Sequence, residues 1–261
     1  MLKIATWNVN SVKARKERLL SWLQREMPDV LSLQELKVEA DGFPLAEVQD
    51  AGYQAVLNAQ KTYNGVALLA KRELLDGQSG FGDAVEDTQA RHVEATVCGL
   101  RVLSVYAPNG GDGAGDKWTY KLAWLDRLLA YLERTHDPRA PLLLCGDLNI
   151  APDDKDVARP DAWKHTVLCR PEVRDAFARL LAWGLSDVMR AHHPEGGPYT
   201  WWDYRMLGFQ KGNGLRIDHI LATLPLAAAC TSAGVDRNER KGTQPSDHAP
   251  VYALFDWPKS A

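Results

Sequence analysis

The sequence lacks the features that mark exported, membrane-spanning or disulfide-stabilised proteins. Its few cysteines lie far apart, without a Cys-x-x-Cys pair, at Cys98, Cys145, Cys169 and Cys230. This pattern is typical of buried thiols in a reducing compartment, and we predict no zinc or redox role for them. No run approaches the roughly 18 to 20 apolar residues of a membrane span, and no charged leader precedes the first apolar segment. We therefore expect a cytoplasmic protein that does not enter membranes.

The chain also lacks an excess of positive charge. Its 261 residues include 31 Lys or Arg and 34 Asp or Glu, which gives a net charge of −3. Proteins that coat nucleic acid regardless of sequence are usually basic, because neutralised phosphates supply most of their affinity. Binding to a polyanion would here require local basic patches, or a bound cation that offsets some carboxylates. The candidate patches are residues 13–18, the group of Arg205, Lys211 and Arg216, and residues 237–241.

What is present is the composition of a globular α/β protein, with 45% hydrophobic and 25% charged residues. Several strand-like runs follow one another between residues 65 and 106 without a helix. This order disfavours a purely parallel sheet and favours packed mixed sheets flanked by helices. No linker divides the chain, so we expect one domain over residues 1–261. The predicted strands are 2–9, 29–33, 65–70, 92–97, 101–106, 141–145, 215–222 and 251–255, and the predicted helices are 13–25, 121–134 and 171–183.

Polar residues interrupt the apolar runs near five predicted strand ends. A carboxylate that emerges from buried backbone is costly unless it is hydrogen-bonded, paired or bound to a metal. Taken singly, Asp147 or Asp218 is an ordinary turn residue and His248 a structural histidine. Together, such residues fit an oxygen-rich site for a hard divalent cation, with Glu35 and Asp247 as predicted ligands and Mg²⁺ as the predicted ion. The interruptions lie at residues 7–10, 33–35, 145–149, 216–219 and 246–248.

A site of this composition can support phosphodiester hydrolysis. Enzymes lower such barriers by roughly 8 to 23 kcal/mol or more, whereas one general base contributes roughly 3 to 5 kcal/mol. The remainder must come from a metal ion, from hydrogen-bonding groups on the developing phosphorane charge and from positioning of the attacking water. The predicted set of acids, amides and imidazole can supply each of these.

Seven polar motifs follow one another in order along the chain: residues 7–10 (WNVN), 33–37 (LQELK), 63–67 (YNGVA), 146–150 (GDLNI), 201–205 (WWDYR), 215–219 (LRIDH) and 246–250 (SDHAP). Together they closely resemble those of the exonuclease III type of abasic-site endonuclease, within the endonuclease/exonuclease/phosphatase superfamily. The resemblance implies a four-layer α/β sandwich of two mixed sheets flanked by helices, with the site at one edge. It also implies a monomeric DNA repair nuclease that uses Mg²⁺, with Mn²⁺ as an alternative, on double-stranded DNA.

The resemblance also implies roles for residues that bind metal or activate water. Glu35 would bind the metal ion, with Asn8 and Asp247 near it. Asp147, supported by Asn149, would orient or deprotonate the attacking water. These roles are carried over from the matching motif positions.

Further residues would contact the scissile phosphate or the DNA. Asp218 would hold His248 against the phosphate, with Tyr106 beside it, since a carboxylate fixes the imidazole tautomer and favours its charged form. The segment 201–216 resembles the DNA-contacting loop of the family, in which Trp201 would stack on a lesion or a terminal base. The implied DNA-binding residues are Lys61, Asn64, Arg91, Trp201, Tyr204, Arg205, Lys211 and Arg216.

Two departures from the family pattern leave the substrate open. Leu36 replaces the threonine of the commoner motif, and residues 158–170, including Trp163 and Leu168, match only loosely beside the place of the extrahelical sugar. Incision on the 5′ side of abasic sites and processing of 3′ ends as an exonuclease or 3′-phosphatase, each leaving a 3′-hydroxyl, both remain open. The alternatives are a relative acting on inositol phosphates or sphingomyelin, disfavoured by residues 201–205, and a silent DNA-binding module, disfavoured by the intact polar set.

Overall fold

The computed structural model describes residues 1–259, which form two six-stranded sheets and the helices that cover them. The strands are β1 (Leu2–Asn8), β2 (Val30–Gln34), β3 (Gln54–Asn58), β4 (Val66–Ala70), β5 (Leu75–Ser79), β6 (His92–Val97), β7 (Leu100–Tyr106), β8 (Leu142–Asp147), β9 (Leu185–Asp187), β10 (Asp218–Thr223), β11 (Cys230–Val235) and β12 (Val251–Phe255). One sheet has the order β11-β12-β1-β2-β4-β3 and the other β5-β6-β7-β8-β10-β9. Pairing is parallel in β1–β2 and β7–β8 and antiparallel elsewhere, so the predicted mixed sheets are confirmed.

The helices lie outside the sheets or in the connections between strands. They are α1 (Lys16–Glu26), α2 (Leu45–Asp50), α3 (Gly115–Thr135), α4 (Pro160–Trp163), α5 (Pro171–Trp183), α6 (Val188–His192) and α7 (Leu224–Ala227). Short 3₁₀ turns occupy Ala40–Gly42, Asp154–Asp156, Arg205–Leu207 and Arg237–Arg240. Within residues 1–259, none of the helices combines the length and apolarity needed to cross a bilayer.

Alternating side chains on each strand build the layers. In β1, Ile4 packs between the two sheets, whereas Trp7 faces outward and contacts Trp22 of α1, with ring centroids 5.8 Å apart. In β8, Leu143 faces the other sheet and Leu144 faces α3 and α5. Helices α1 and α2 thus cover one sheet and α3 and α5 the other, which confirms the expected four-layer sandwich.

Strand register brings polar residues to one edge of the sandwich. Asn8 ends β1 beside Gln34 at the end of β2. In the other sheet Tyr106 ends β7 beside Asp147 at the end of β8, and Asp218 at the start of β10 lies opposite Asp147. Parallel neighbours end at the same edge of a sheet, so these side chains emerge close together.

The structure adds elements that the sequence patterns do not predict and moves several element boundaries. The sequence patterns do not predict strands β3, β5, β9 and β11 or helices α2, α4, α6 and α7. Strand β5 is exposed along its whole length and β9 has three residues, so neither carries an apolar alternation. The predicted strand 215–222 begins only at Asp218, because Leu215 instead exchanges backbone hydrogen bonds with Trp201. Helix α3 begins at Gly115 rather than at the predicted Lys121.

Gly146, directly before Asp147, permits the close pairing of β7 and β8. Its φ is +152°, and a Cβ at this position would overlap the carbonyl oxygen of Val105. We predict that Gly146→Ala lowers the free energy of unfolding by more than about 3 kcal/mol, beyond the usual range for single substitutions. Gly99→Ala is the matched control, since Gly99 also has a positive φ (+70°) but open space around it, and should cost about 1 to 2 kcal/mol. Equal losses for the two variants in urea unfolding would contradict this account.

Candidate active site

A cavity of about 370 Å³ opens at the edge where the polar strand ends meet. Side chains from both sheets and from the long connections line it, so residues distant in sequence share one space. Acidic and imidazole groups form its floor, and tryptophan side chains form part of its wall. The lining residues used below are Glu35, Tyr106, Asp147, Asn149, Trp163, Trp201, Asp247 and His248.

Three side chains on the floor offer ligand atoms within 4.8 Å of one another: Glu35, Asp147 and His248. The Asn8 side-chain nitrogen donates to Glu35 Oε1 at 2.8 Å and to Asp147 Oδ2 at 2.9 Å, and thereby links the two sheets. The carboxylate oxygens of Glu35 and Asp147 are the hard donors that divalent cations prefer, and the Asn8 amide, whose nitrogen faces them, holds them at this spacing. The residues present therefore fit a metal ion of the magnesium type.

Glu35 is aimed into the cavity by an unusual backbone conformation. It follows β2 with a φ of +54°, a left-handed conformation that costs a non-glycine residue of the order of 1 to 2 kcal/mol. Tyr106 donates its hydroxyl to Glu35 Oε1 at 3.0 Å, and Lys37 Nζ lies 2.7 Å from Glu35 Oε2. Burial, followed by the charges of Glu35 and Asp147, raises the pKa of Tyr106 well above its usual range, so the phenol keeps its proton.

Asp147 is almost fully buried and is held in one orientation. The backbone N–H of Asn149 donates to Asp147 Oδ1 at 2.9 Å, so the support expected from Asn149 comes through its main chain. The Asn149 side chain instead donates to the Ala107 carbonyl at 3.0 Å. Burial raises the pKa of Asp147 to about 7; Asp218 and Glu35 add to this rise, whereas His248 and Asn8 oppose it. A carboxylate with this pKa can accept a proton near neutral pH.

Asp218 and His248 form a buried pair. His248 Nδ1 lies 2.8 Å from Asp218 Oδ2, and its Nε2 lies 3.8 Å from Asp147 Oδ2. Burial by itself lowers the pKa of His248, but Asp218 and Asp147 outweigh burial and raise it to about 10. The imidazole is therefore charged at neutral pH, donates from Nδ1 to Asp218 and presents a second N–H on the Asp147 side of the cavity.

Asp247 lies beside the three-residue cluster but is not part of it. Its Oδ1 accepts from the Asn10 side chain and its Oδ2 accepts from Trp201 Nε1, each at 2.9 Å. These donors and the His248 charge hold the pKa of Asp247 below its usual value even though burial acts in the opposite direction. Asp247 thus fixes Trp201 beside the cluster, and its predicted role as a metal ligand stays a prediction.

An aromatic wall rises beside the acidic floor. The Trp163 and Trp201 rings meet edge to face, with centroids 5.7 Å apart, and the Trp201 centroid lies 6.5 Å from that of His248. Tyr204, Arg205 and Lys211 are exposed beyond this wall, as Lys61 is on another loop. Arg205 is paired there with Asp203 at 2.9 Å.

A second cavity, of about 730 Å³, adjoins the first and shares Tyr106 with it. Asn64 and Arg91, both mostly buried, line this second cavity. The Arg91 guanidinium lies 4.7 Å from the centre of the Tyr106 ring and donates to the Tyr106 carbonyl at 3.1 Å. Arg91 thus supports Tyr106 as well as lining the cavity.

The structure contradicts the prediction that Arg216 contacts DNA. Arg216 is 1% exposed, and its guanidinium pairs with Asp156 and with Asp187. It also donates to Nδ1 of the buried His219 at 3.2 Å. The sequence shows an arginine in a basic loop, but both carboxylate partners are distant in sequence and only the fold brings them together.

Three residues of the predicted motifs acquire contacts that sequence reasoning did not assign. Lys37 pairs with Glu35 and donates to the Asn10 side chain at 2.6 Å, while Asn10 holds Asp247. Ser246 donates its hydroxyl to the Asn8 carbonyl at 2.7 Å and joins the two ends of the chain at the site. The sequence signal that could have identified these three residues is that each lies within two positions of a predicted metal-site residue: Asn8, Glu35 or Asp247.

Comparison with known proteins gives consistent matches over the length of the chain. A model of the endonuclease/exonuclease/phosphatase family matches residues 5–248. Exodeoxyribonuclease III of Haemophilus influenzae is 38% identical over 266 aligned positions, which cover 97% of this chain and 100% of the relative. An AP endonuclease from Archaeoglobus fulgidus superposes with a TM-score of 0.95 at 41% identity, and a 3′ phosphatase from Neisseria bound to a product DNA hairpin with 0.94 at 43%. Both structural comparisons cover 98% of this chain and 100% of the neighbour.

The raised pKa of Asp147 predicts how the metal-free protein responds to pH. The folded state binds the Asp147 proton more tightly than the unfolded state, in which the pKa is 3.8. Wild-type stability should therefore fall as pH rises from about 4 through about 7. In EDTA at pH 8, Asp147→Asn should be more stable than the wild type by roughly a few kcal/mol, with the difference vanishing near pH 4. If urea unfolding at pH 8 gives the wild type a free energy of unfolding equal to or above that of Asp147→Asn, the Asp147 carboxylate does not carry an incompletely compensated buried charge.

Proposed function

This chain belongs to the endonuclease/exonuclease/phosphatase family, and from that premise we propose that it is a metal-dependent DNA repair nuclease. It hydrolyses phosphate esters at abasic sites and at 3′ ends of duplex DNA and leaves a 3′-hydroxyl. The observation that carries the proposal is the convergence of Glu35, Asp147 and His248 in one cavity beside Trp201. Relatives named as exodeoxyribonuclease, AP endonuclease and 3′ phosphatase support this choice of substrate.

Glu35 is the residue that would hold the metal ion, with Asn8 and Asp247 near it, and we propose that the ion is Mg²⁺. Oxygen donors with room for water and a substrate phosphate suit Mg²⁺ better than a nitrogen- or sulfur-binding ion. When bound, the ion supplies a positive charge that stabilises the negative charge developing on the phosphate. Tyr106 and Lys37 keep the Glu35 carboxylate in place from its two sides.

Of the remaining residues, Asp147 accepts a proton, and His248 and Tyr106 stabilise the charge that develops on the phosphate. Asp147, fixed by the Asn149 N–H, takes a proton from the attacking water, since its pKa of about 7 matches a base acting near neutral pH. His248, held by Asp218, directs its second N–H toward a phosphate oxygen. Tyr106 offers its phenol hydrogen from the adjacent strand end.

DNA would lie across the face that carries the basic segments. Residues 13–18 contact two segments that are distant in sequence, because Arg15 donates to the Tyr204 hydroxyl at 2.9 Å and Arg18 donates to the Thr243 carbonyl at 2.9 Å. We propose that Lys61, Tyr204, Arg205 and Lys211 contact the phosphate backbone from this face, with Asn64 and Arg91 lining the adjoining cavity. Local patches of this kind explain how a chain of net charge −3 can bind DNA.

The aromatic wall is the feature that sets the balance of activities in this proposal. Trp163 and Trp201 form the wall beside the acidic floor, and Leu168 lines the cavity as well. A 3′-phosphate end needs room for a terminal phosphate, whereas an internal abasic site must bring in a sugar with phosphates on both sides. The 158–170 segment therefore favours 3′-end processing over abasic-site incision.

A panel of substrates tests the reaction class. Purified protein should cleave duplexes bearing an abasic-site analogue, a recessed 3′ end or a 3′-phosphate with Mg²⁺ and not with EDTA. Asp147→Asn should lower kcat by roughly 10² to 10⁴-fold, the usual contribution of a general base, and leave duplex binding in fluorescence anisotropy nearly unchanged. Asp126→Asn, the same chemical change at an exposed position of α3, should behave as the wild type. Turnover of inositol phosphate or sphingomyelin instead of DNA, or DNA binding without cleavage, would refute the proposal.

Opening the aromatic wall tests the balance of activities. Trp163→Ala removes the edge-to-face contact with Trp201 and widens the cavity. We expect the ratio of abasic incision to 3′-phosphate release to rise by roughly tenfold, the scale of steric discrimination in a pocket. Trp183→Ala, a half-buried tryptophan at the end of α5, controls for general loss of packing. An unchanged ratio in kcat/KM would remove the 158–170 segment from substrate selection.

A further inference from the structure

Lys121 is a fully buried cation at the back of the site, with no role in the reaction described above. It lies in the second turn of α3, three and four residues before the core residues Trp124 and Leu125. Burial lowers the pKa of Lys121 to about 7, and the three carbonyl oxygens around Nζ are the partners that a protonated amine, with three hydrogens, requires. Within residues 1–259 it forms no ion pair, and the contacts that hold it are hydrogen bonds.

Those hydrogen bonds go to the backbone of three separate segments. Lys121 Nζ donates to the carbonyl oxygens of Asn109 at 3.1 Å, Asn149 at 2.7 Å and Val167 at 2.8 Å. An ammonium group has three hydrogens, so one side chain satisfies one carbonyl in each segment. Asn109, Asn149 and Val167 all line the catalytic cavity.

Four other hydrogen bonds join the three segments in pairs. The Asn109 side chain donates to Asn149 Oδ1 at 3.2 Å, and the Asn149 side chain donates to the Ala107 carbonyl at 3.0 Å. The backbone N–H of Ala151 donates to the Leu168 carbonyl at 2.8 Å, and the Arg170 guanidinium donates to the Gly113 carbonyl at 2.7 Å. Each of these bonds joins two segments, whereas the ammonium group of Lys121 joins all three. The Lys121 stem also leaves no room at Gly110, where a Cβ would lie 2.9 Å from its Cδ.

The three hydrogen bonds of Lys121, here called the Lys121 tether, reach the Asp147 carboxylate through Asn149. The N–H of Asn149 donates to Asp147 Oδ1, and Asn149 has a left-handed φ of +51°. A strained residue keeps its conformation only where its surroundings fix it, and the hydrogen bond from Lys121 to the Asn149 carbonyl is one such constraint. Displacing Asn149 would therefore turn the Asp147 carboxylate.

We propose that Lys121 is a positioning residue, whose ammonium group fixes the segments 107–114, 148–153 and 164–170 relative to one another and, through Asn149, orients Asp147. Its catalytic consequence rests on the proposed function, whereas its effect on the three segments does not. A misplacement of about 1 Å at a catalytic group can cost roughly 10²-fold in rate, so the tether has a measurable effect without touching substrate.

The test compares Lys121→Met, Lys121→Arg and a matched control, Leu128→Ala. Leu128 is fully buried on the same helix, so its truncation destabilises α3 without removing the tether. The first readout is backbone hydrogen exchange, measured by mass spectrometry at a temperature where all variants are folded. Lys121→Met should raise exchange in the three tethered segments and leave β1 and β2 as in the wild type, and Leu128→Ala should not reproduce this pattern.

The second readout is the steady-state rate on a 3′-phosphate duplex with Mg²⁺. Lys121→Met should lower kcat by about 10- to 100-fold with a smaller change in KM, and Lys121→Arg, which keeps several donors, should recover part of that loss. Leu128→Ala should retain the wild-type kcat. If Lys121→Met does not fold, Lys121→Gln replaces it with the same expected results.

Wild-type exchange and kcat in the Lys121→Met or Lys121→Gln variant would overturn the proposal, as would the same changes in Leu128→Ala. A wild type that does not cleave DNA would instead overturn the proposed function. In that case the exchange measurement alone decides whether Lys121 fixes the three segments.

Discussion

Buried negative charge at one edge of the sandwich is the constraint on which the rest of the site depends. Glu35 and Asp147 present oxygens to the same small volume, and burial penalises the charge of Asp147. The Asn8 amide and the His248 imidazolium offset part of this charge, and Lys37 neutralises one side of Glu35. The rise in the pKa of Asp147 shows that the compensation is incomplete. A divalent cation would complete it, and the same cation would stabilise charge on a phosphate substrate.

The backbone holds these groups together against their repulsion. Parallel pairing in both sheets ends Asn8 and Asp147 at one edge, and the hydrogen bond between them joins the sheets. Glu35 and Asn149 turn into the site with left-handed backbones, an arrangement whose strain the surrounding core must offset. The packed layers on both sides of each sheet therefore contribute to the site, since they keep the strand ends from separating.

Sequence patterns identified the central strands and the acidic set, because buried strands alternate in apolarity and the polar motifs follow them directly. They missed β5, whose exposed residues carry no alternation, and misassigned Arg216, whose ion-pair partner Asp156 is brought close only by folding. The contacts of Asp247 with Asn10 and Trp201 could not be predicted, because these residues are distant from it in sequence. Lys121 interrupts the apolar face of a predicted helix, and this signal is visible in the sequence. Its three backbone partners could not be predicted, because only the fold brings them to the Lys121 side chain. The single domain over residues 1–261 and the monomeric state stay predictions.

The most direct test of a cation bound between Glu35 and Asp147 is the stabilisation of the protein by Mg²⁺, because this measurement needs no substrate. The free energy of unfolding of the wild type should rise with Mg²⁺ concentration, by about 2.7 kcal/mol at one hundred times the dissociation constant. Glu35→Gln should lose this dependence, and Glu133→Gln, at an exposed position of α3, should keep it. A wild type whose stability does not change with Mg²⁺, or a Glu35→Gln variant that responds equally, would contradict a cation held by this cluster.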